Sequence, residues 1–292
     1  MTVSLLSVID SKFDTFSKGQ KKIAKFVAEH YETAAFMTAA KMGETVKVSE
    51  STVVRFATEL GYKGYPEFQK DLQDLIRSKL TGVQRIDVFD ARTKGENIVE
   101  NTMKNDSQLL MNTMQAVSKE HFDASVKTIM NAKKIYILGV RSAAFLAGFL
   151  SYYFKLIFDN VVLINVSSDS ELYEEIFRIN KDDVCIAISM PRYSALTIRA
   201  VRFMKDRGVN VIAITDNVNA PIARMSDYVL EAKSGMASIV DSLVAPLSLL
   251  NSLIAAITLE KGAELRENYE ALEEIWDQYE VYDKFEETSN NG

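Results

Sequence analysis

Between Ile135 and Leu230, five short apolar runs alternate with helix-patterned stretches, and this alternation limits the fold more than any other feature of the chain. The runs are Ile135–Leu138, Val161–Val166, Val184–Ile188, Val209–Ile214 and Tyr228–Leu230. The stretches Ala143–Phe158, Asp169–Ile179 and Ala195–Arg207 between them carry helical spacing. The pattern predicts a parallel sheet with helices on both faces, an α/β three-layer domain. Ligands of such sheets bind beyond the carboxyl ends of the strands. Two of those ends carry arginine and serine: Gly139-Val140-Arg141-Ser142, and Ser189-Met190-Pro191-Arg192-Tyr193-Ser194. Each precedes a helix start, which offers free backbone N–H groups and a positive dipole end. Hydroxyls and guanidinium forks complete a donor set suited to an anion. Arg141, Ser142, Ser189, Arg192, Tyr193 and Ser194 are therefore candidate ligand residues. A plainer alternative uses the same residues as helix caps and as internal ion pairs.

After Gly235 a long helical pattern places Leu243, Leu247, Leu250, Ile254 and Ile257 at steps of four and three, with Pro246 positioned to kink it. Leu265, Tyr269, Leu272, Trp276 and Tyr279 continue the stepping on an acidic tail. Such a stripe seals a core or a homodimer seam. Ser238 and Asp241, near the start of the pattern, are placed to close the ligand pocket, and Ser238 joins the candidate ligand residues. Residues Thr288 to Gly292 read as a disordered end.

The first 80 residues have a different character. Lys18–Tyr31 sets Ile23, Phe26 and Val27 at helical spacing, with lysines opposite. A short helix is expected from Thr38 to Thr45, then a tight connection over Val46–Val48. Ser49 then caps a second helix that Gly61 ends. Val53, Phe56, Ala57 and Leu60 share one apolar face of that helix, and Ser51, Thr52 and Arg55 lie off it. This is the layout of a helix-turn-helix, whose second helix enters the DNA major groove by its N-terminal end. Small hydroxyl residues there can approach bases or phosphates, and Arg55 can reach a guanine edge or a phosphate. Lys63, in the following turn, is placed as a backbone clamp. Ser49, Ser51, Thr52, Arg55 and Lys63 are the candidate DNA-binding residues; a plain helical bundle is the alternative.

Between the two parts, Thr81–Ala91 shows no sustained periodicity and reads as a linker. Thr93-Lys94-Gly95-Glu96 has the pattern of a capping box that starts a helix. Ile98 to Val117 and Asp123 to Met130 are the connecting helices. The division expected is 1–80, 81–119, 120–265 and 266–292.

Composition narrows the function classes. The 292 residues are 47% hydrophobic and 25% charged, as in a soluble globular protein. One cysteine, Cys185, sits inside an apolar run, which excludes an internal disulfide and suits a reducing compartment. No apolar run approaches the length of a membrane span, and no signal-peptide layout opens the chain, so a cytoplasmic protein with no membrane partner is expected. Residues 1–80 hold 12 Lys and Arg against 10 Asp and Glu; the remainder holds 22 against 30. A mildly basic front on an acidic body fits a small DNA reader joined to a larger domain. His30 and His121 lack metal-ligand spacing, so structural roles, no metal and no cofactor are expected.

The run from Val48 to Phe68 resembles the DNA-binding domain of the RpiR/MurR family of bacterial transcriptional regulators, with its Val-Ser, Ser/Thr-Val, Arg-Phe and Leu-Gly-Tyr-x-Gly-Tyr-x-Glu-Phe elements. The resemblance implies that Ser49, Ser51, Thr52 and Arg55 lie at or near DNA. Residues 120–262 resemble the sugar isomerase (SIS) domain, the C-terminal part of the same regulators. The common SIS pattern is Gly-x-Gly-x-Ser in the first loop and Ser-x-Ser-Gly-x-Thr in the second, together holding a sugar phosphate. Here Arg141 replaces the second glycine, and Pro191 and Arg192 stand where Ser and Gly are usual. Ala213–Ala223 follows the pattern. The resemblance implies a ligand-responsive regulator, a homodimer or homotetramer on a palindromic operator of double-stranded DNA, sensing a small anionic metabolite, a phosphosugar or a sugar acid. The alternative is a sugar-phosphate isomerase with a helical extension. That chemistry needs a Glu or His base at the pocket. No His lies after Ile135, and Glu171, Glu174 and Glu175 look like an exposed helix face, so no catalytic residue is assigned.

Overall fold

The computed structural model describes residues 5–77, 80–93, 97–166 and 168–282. Its N-terminal part is all helical: α1 (Leu5–Ser11), α2 (Lys18–Glu29), α3 (Tyr31–Ala34), α4 (Ala39–Val46), α5 (Glu50–Glu59) and α6 (Tyr65–Arg77). Ser17 opens α2 with a reciprocal capping box to Gln20. Ile23, Val27, Met42, Val53, Phe56, Phe68 and Leu72 close one apolar core, in which Phe56 stacks edge-on against both Phe16 and Phe68.

The second part is built on a five-stranded sheet of β1 (Ile135–Gly139), β2 (Val161–Ile164), β3 (Val184–Ile188), β4 (Asn210–Thr215) and β5 (Tyr228–Glu231). The order is β2-β1-β3-β4-β5 and every pairing is parallel. Helices α10 (Ala143–Ile157), α11 (Asp169–Ile176) and α12 (Ala195–Asp206) make the crossovers. Successive strand residues serve opposite faces. Ile135, Ile137, Val184, Ile186 and Ile188 pack with Leu146, Leu150 and Phe154 of α10. Tyr136, Leu138, Cys185 and Ala187 pack with Leu172 and Ile176 of α11 and Val201 and Met204 of α12. The α/β three-layer expectation is met.

Helices α8 (Ile98–Ala116) and α9 (Lys119–Met130) join the parts, and α13 (Val244–Gln278) closes the first face of the sheet with Leu249, Leu250, Leu253 and Ile257. His121 on α9 is structural: its Nδ1 accepts the Val229 N–H of β5 at 2.9 Å. By length and composition α13 passes as a membrane span, against the sequence expectation; its apolar part, however, covers the sheet core and packs against α10.

Three local expectations are corrected. The linker read over Thr81–Ala91 is a helix, α7 (Gly82–Thr93). Thr81 caps it: its hydroxyl accepts the Gln84 N–H at 3.3 Å, and the Gln84 side chain accepts the Thr81 N–H at 2.8 Å. Thr93 therefore ends a helix instead of starting one, and Asn97 caps α8 by accepting the Glu100 N–H. Lys94–Glu96 and the tail from Thr288 lie outside the described residues. Finally, α13 kinks at Gly262 (φ 45°, ψ −111°), not at Pro246. Pro246 falls in the first turn, where its missing N–H breaks no helical bond.

Candidate functional site

Two regions carry the candidate side chains. In the N-terminal part, α4 and α5 form the helix-turn-helix. Thr38 caps α4, Lys47 leaves it in the left-handed region (φ 56°), and Ser49 caps α5 by accepting the Thr52 N–H at 3.3 Å. Gly43 allows the close turn: a Cβ there would stand 2.9 Å from the Val48 carbonyl oxygen. Val53, Phe56 and Ala57 are buried, while Ser49, Ser51 and Arg55 are exposed and Thr52 is half-buried. The Ser49 hydroxyl lies 2.9 Å from that of Ser51 and 2.8 Å from that of Thr52, so the three hydroxyls form one cluster at the N-terminus of α5. Arg55 stands one turn on, and Lys63 is exposed in the turn before α6. This is a helix start rich in small donors with a cation behind it, the chemistry of a groove-reading helix.

The second region lies at the topological switch point of the sheet. After β1 the chain crosses to β2 on one side, and after β3 it crosses to β4 on the other. The loops leaving β1 and β3 therefore diverge to opposite faces and leave a crevice between them. A cavity of about 320 Å³ occupies it, and Arg141, Ser142, Ser189, Arg192 and Ser194 line it. Gly139 makes the approach possible, since a Cβ there would meet the Ala143 carbonyl oxygen at 2.4 Å. Ser142 and Ser194 occupy the N-cap positions of α10 and α12, and neither side chain makes a cap hydrogen bond. Both helix starts keep N–H groups available to a ligand. Thr197 also lines the cavity, fully buried, and its hydroxyl has no hydrogen-bond partner among the described residues.

Both substituted glycine positions keep a glycine-like backbone: Arg141 has φ 58° and Arg192 φ 66°. Arginines held there fill the space that glycine leaves open and add charge to it.

Two candidate residues fall elsewhere. Tyr193 turns away: its hydroxyl donates to Asp216 Oδ1 at 2.8 Å and accepts from Asn217 Nδ2 at 3.1 Å, along a separate cleft of about 820 Å³. Ser238 is not among the lining residues; Ile239, Val240 and Asp241 of the same loop are. Two polar lining residues, Thr197 and Arg85, were not singled out in the sequence. Arg85 on α7 reaches the cavity, and its Nη1 lies 3.1 Å from Asp241 Oδ2. The Thr81-x-x-Gln84 cap was the signal for its helix; no local pattern marks its burial.

Three arginines against one aspartate, with two open helix starts, give this cavity the donor set that suits an anion. Glu171, Glu174 and Glu175 are exposed on α11, outside the lining. Cys185 is buried in β3, and burial pushes its thiol up to about 12, which keeps it protonated and unreactive.

Comparison with known proteins agrees with both regions. Residues 3–79 match the helix-turn-helix domain of the rpiR family, and residues 128–256 match the SIS domain. An HTH-type transcriptional regulator of Haemophilus influenzae is 24% identical over 236 residues, 78% of this chain and 79% of its own length. The HTH-type transcriptional regulator HexR of Pseudomonas aeruginosa is 22% identical over 278 residues, 93% of this chain and 95% of its own. Among solved structures, Vibrio vulnificus NanR complexed with ManNAc-6P has the same fold, with a TM-score of 0.57, 20% identity, and coverage of 94% of this chain and 98% of that one. Helix-turn-helix, switch-point sheet and regulator relatives agree, and the chain belongs to the rpiR family of transcriptional regulators, with a SIS domain following its DNA-binding domain.

Proposed function

We propose that the chain binds a palindromic operator through α5 and that an anionic sugar derivative in the switch-point cavity changes that binding. The observation that carries this reading is the cavity itself: two uncapped helix starts, the buried Thr197 hydroxyl without a partner and three arginines converge on it. The phosphosugar bound to the NanR neighbour supports a phosphorylated sugar, and the arginines at the two substituted glycine positions also suit a sugar acid. Ser49, Ser51, Thr52, Arg55 and Lys63 act at the DNA; Arg141, Ser142, Ser189, Arg192 and Ser194 act at the effector.

The protein acts as a sensor and not as an isomerase. Moving a proton between adjacent sugar carbons needs a positioned base. The carboxylate lining the cavity, Asp241, is paired with Arg85, and no histidine lines it. A palindromic site needs at least two copies of the chain. The exposed α10 stripe of Phe145 and Tyr152, with half-buried Phe149 between them, is the face for a second copy. DNA as a partner places the protein in the cytoplasm.

A gel-shift assay of the full chain on genomic fragments, titrated with sugar phosphates and sugar acids, tests the proposal. Sequence-preferring binding at physiological salt that one of these compounds alters is the expected result. Binding without sequence preference, or turnover of a sugar phosphate, would overturn it.

A further inference from the structure

The connector places a buried arginine in the effector cavity, and an acid from the protein itself already holds it. Arg85 has a side chain only 2% exposed, and Asp241, its partner at 3.1 Å, is 14% exposed. A buried ion pair is a weak source of stability, but removing one member leaves an uncompensated charge. Each member belongs to a segment tied to the DNA-binding part. Arg85 sits in the first turn of α7, a few residues after α6 ends at Arg77. Asp241 ends the loop whose Met236 packs on the helical core, and Met236 and Asp241 pair as an isolated antiparallel bridge. Next to it, the Ser242 hydroxyl donates to Asp106 Oδ1 of α8 at 2.6 Å. The loop thus meets the cavity, the helical core and the connector together.

We propose that Arg85 is a third effector-binding arginine, and that Asp241 occupies its guanidinium until an anionic effector displaces the carboxylate; this rests on the anion-site reading above. An effector oxyanion and Asp241 compete for the same fork of N–H donors. When the effector takes it, Asp241 and the loop carrying Met236 lose that one of their ties, and α7 is held by the ligand instead. The effector thereby exchanges one tie between the two parts for another, which is the differential interaction that a ligand-driven shift requires.

The test uses the full chain, with inorganic phosphate as the probe, read by isothermal titration calorimetry. Phosphate binds the wild type, binds Asp241→Asn about tenfold more tightly because the internal competitor is gone, and loses that gain in the Asp241→Asn, Arg85→Gln double variant. Asp241→Ala serves as a second variant with the same expectation if Asp241→Asn does not fold. Equal phosphate affinity in the wild type and the Asp241 variants would overturn the proposal while leaving the anion site in place. Absence of phosphate binding in every form would overturn the anion site, and this proposal with it. Trypsin cleavage between the two parts, mapped by mass spectrometry, gives the second readout. It rises with phosphate in the wild type and is already raised without phosphate in Asp241→Asn; cleavage that ignores both would overturn the exchange of ties.

Discussion

Arg141 and Arg192 hold backbone conformations that cost an L-residue about 1–2 kcal/mol, at positions where a side chain brings charge to a cavity. Glycine at either position relieves that strain but adds about 0.5–1 kcal/mol of unfolded-chain entropy. Arg192→Gly is therefore expected to gain up to about 1 kcal/mol in urea unfolding, whereas Arg192→Ala keeps the strain and gains nothing. Both variants should lose the response of DNA binding to the effector, and a retained response would take Arg192 out of the site. At the other region, Arg55→Ala should weaken operator binding by about 1–3 kcal/mol, read by gel shift, with an unchanged melting curve. Cys185 is expected to resist iodoacetamide at pH 8 in the folded chain and to react once in urea, since burial holds its thiol protonated. Reaction in the folded state at the unfolded rate would contradict its burial. The sequence named five residues that line the cavity because charge and hydroxyls at strand ends are readable without a structure. Tyr193 and Ser238 fall outside the cavity lining, and residue type near a strand end does not say which way a loop side chain points. Arg85 was missed because nothing in its local sequence says that an arginine is buried.

Among the elements, legibility followed burial. The strands β1 and β3, buried along their whole length, appear in the sequence as unbroken apolar runs and are found to within a residue. The connector is harder. Among its described side chains, helix α7 buries Arg85, a charged residue, and presents Val83 and Ile86 to solvent, so no apolar core face shows there. Only its Thr81–Gln84 cap marks it. The kink in α13 went to Gly262 because a proline in a first turn disturbs nothing, while an interior glycine lets the chain leave helical geometry. The β1–α10 junction makes the sharpest prediction at this scale. Gly139→Ala puts a Cβ where the Ala143 carbonyl stands, so urea unfolding should show a loss on the order of 3 kcal/mol, and the anion site should go with it. An alanine variant of full stability would mean that the junction is looser than its geometry implies.

The whole molecule joins a helical part with one apolar core to a sheet part with a core on each face. The change from an all-helical pattern to the strand–helix alternation was legible in the sequence. How the parts are joined was not, because it rests on single contacts such as Arg85 to Asp241 and Met236 to the helical core. Self-association is testable at this scale. Phe145→Glu with Tyr152→Glu should leave a folded chain of about half the native mass in analytical ultracentrifugation, with weakened operator binding. An unchanged mass would move the interface elsewhere.

The placement of the cavity at the switch point also bears on how such a chain changes over generations. Arg141 and Arg192 belong to neither sheet core, and both are exposed. Replacing them changes the charge and shape of the crevice lining without touching the residues that pack the sheet against its flanking helices. Ligand preference in this architecture is therefore free to drift through mutations that are nearly neutral for stability, so one scaffold can be recruited to new metabolites without first being rebuilt.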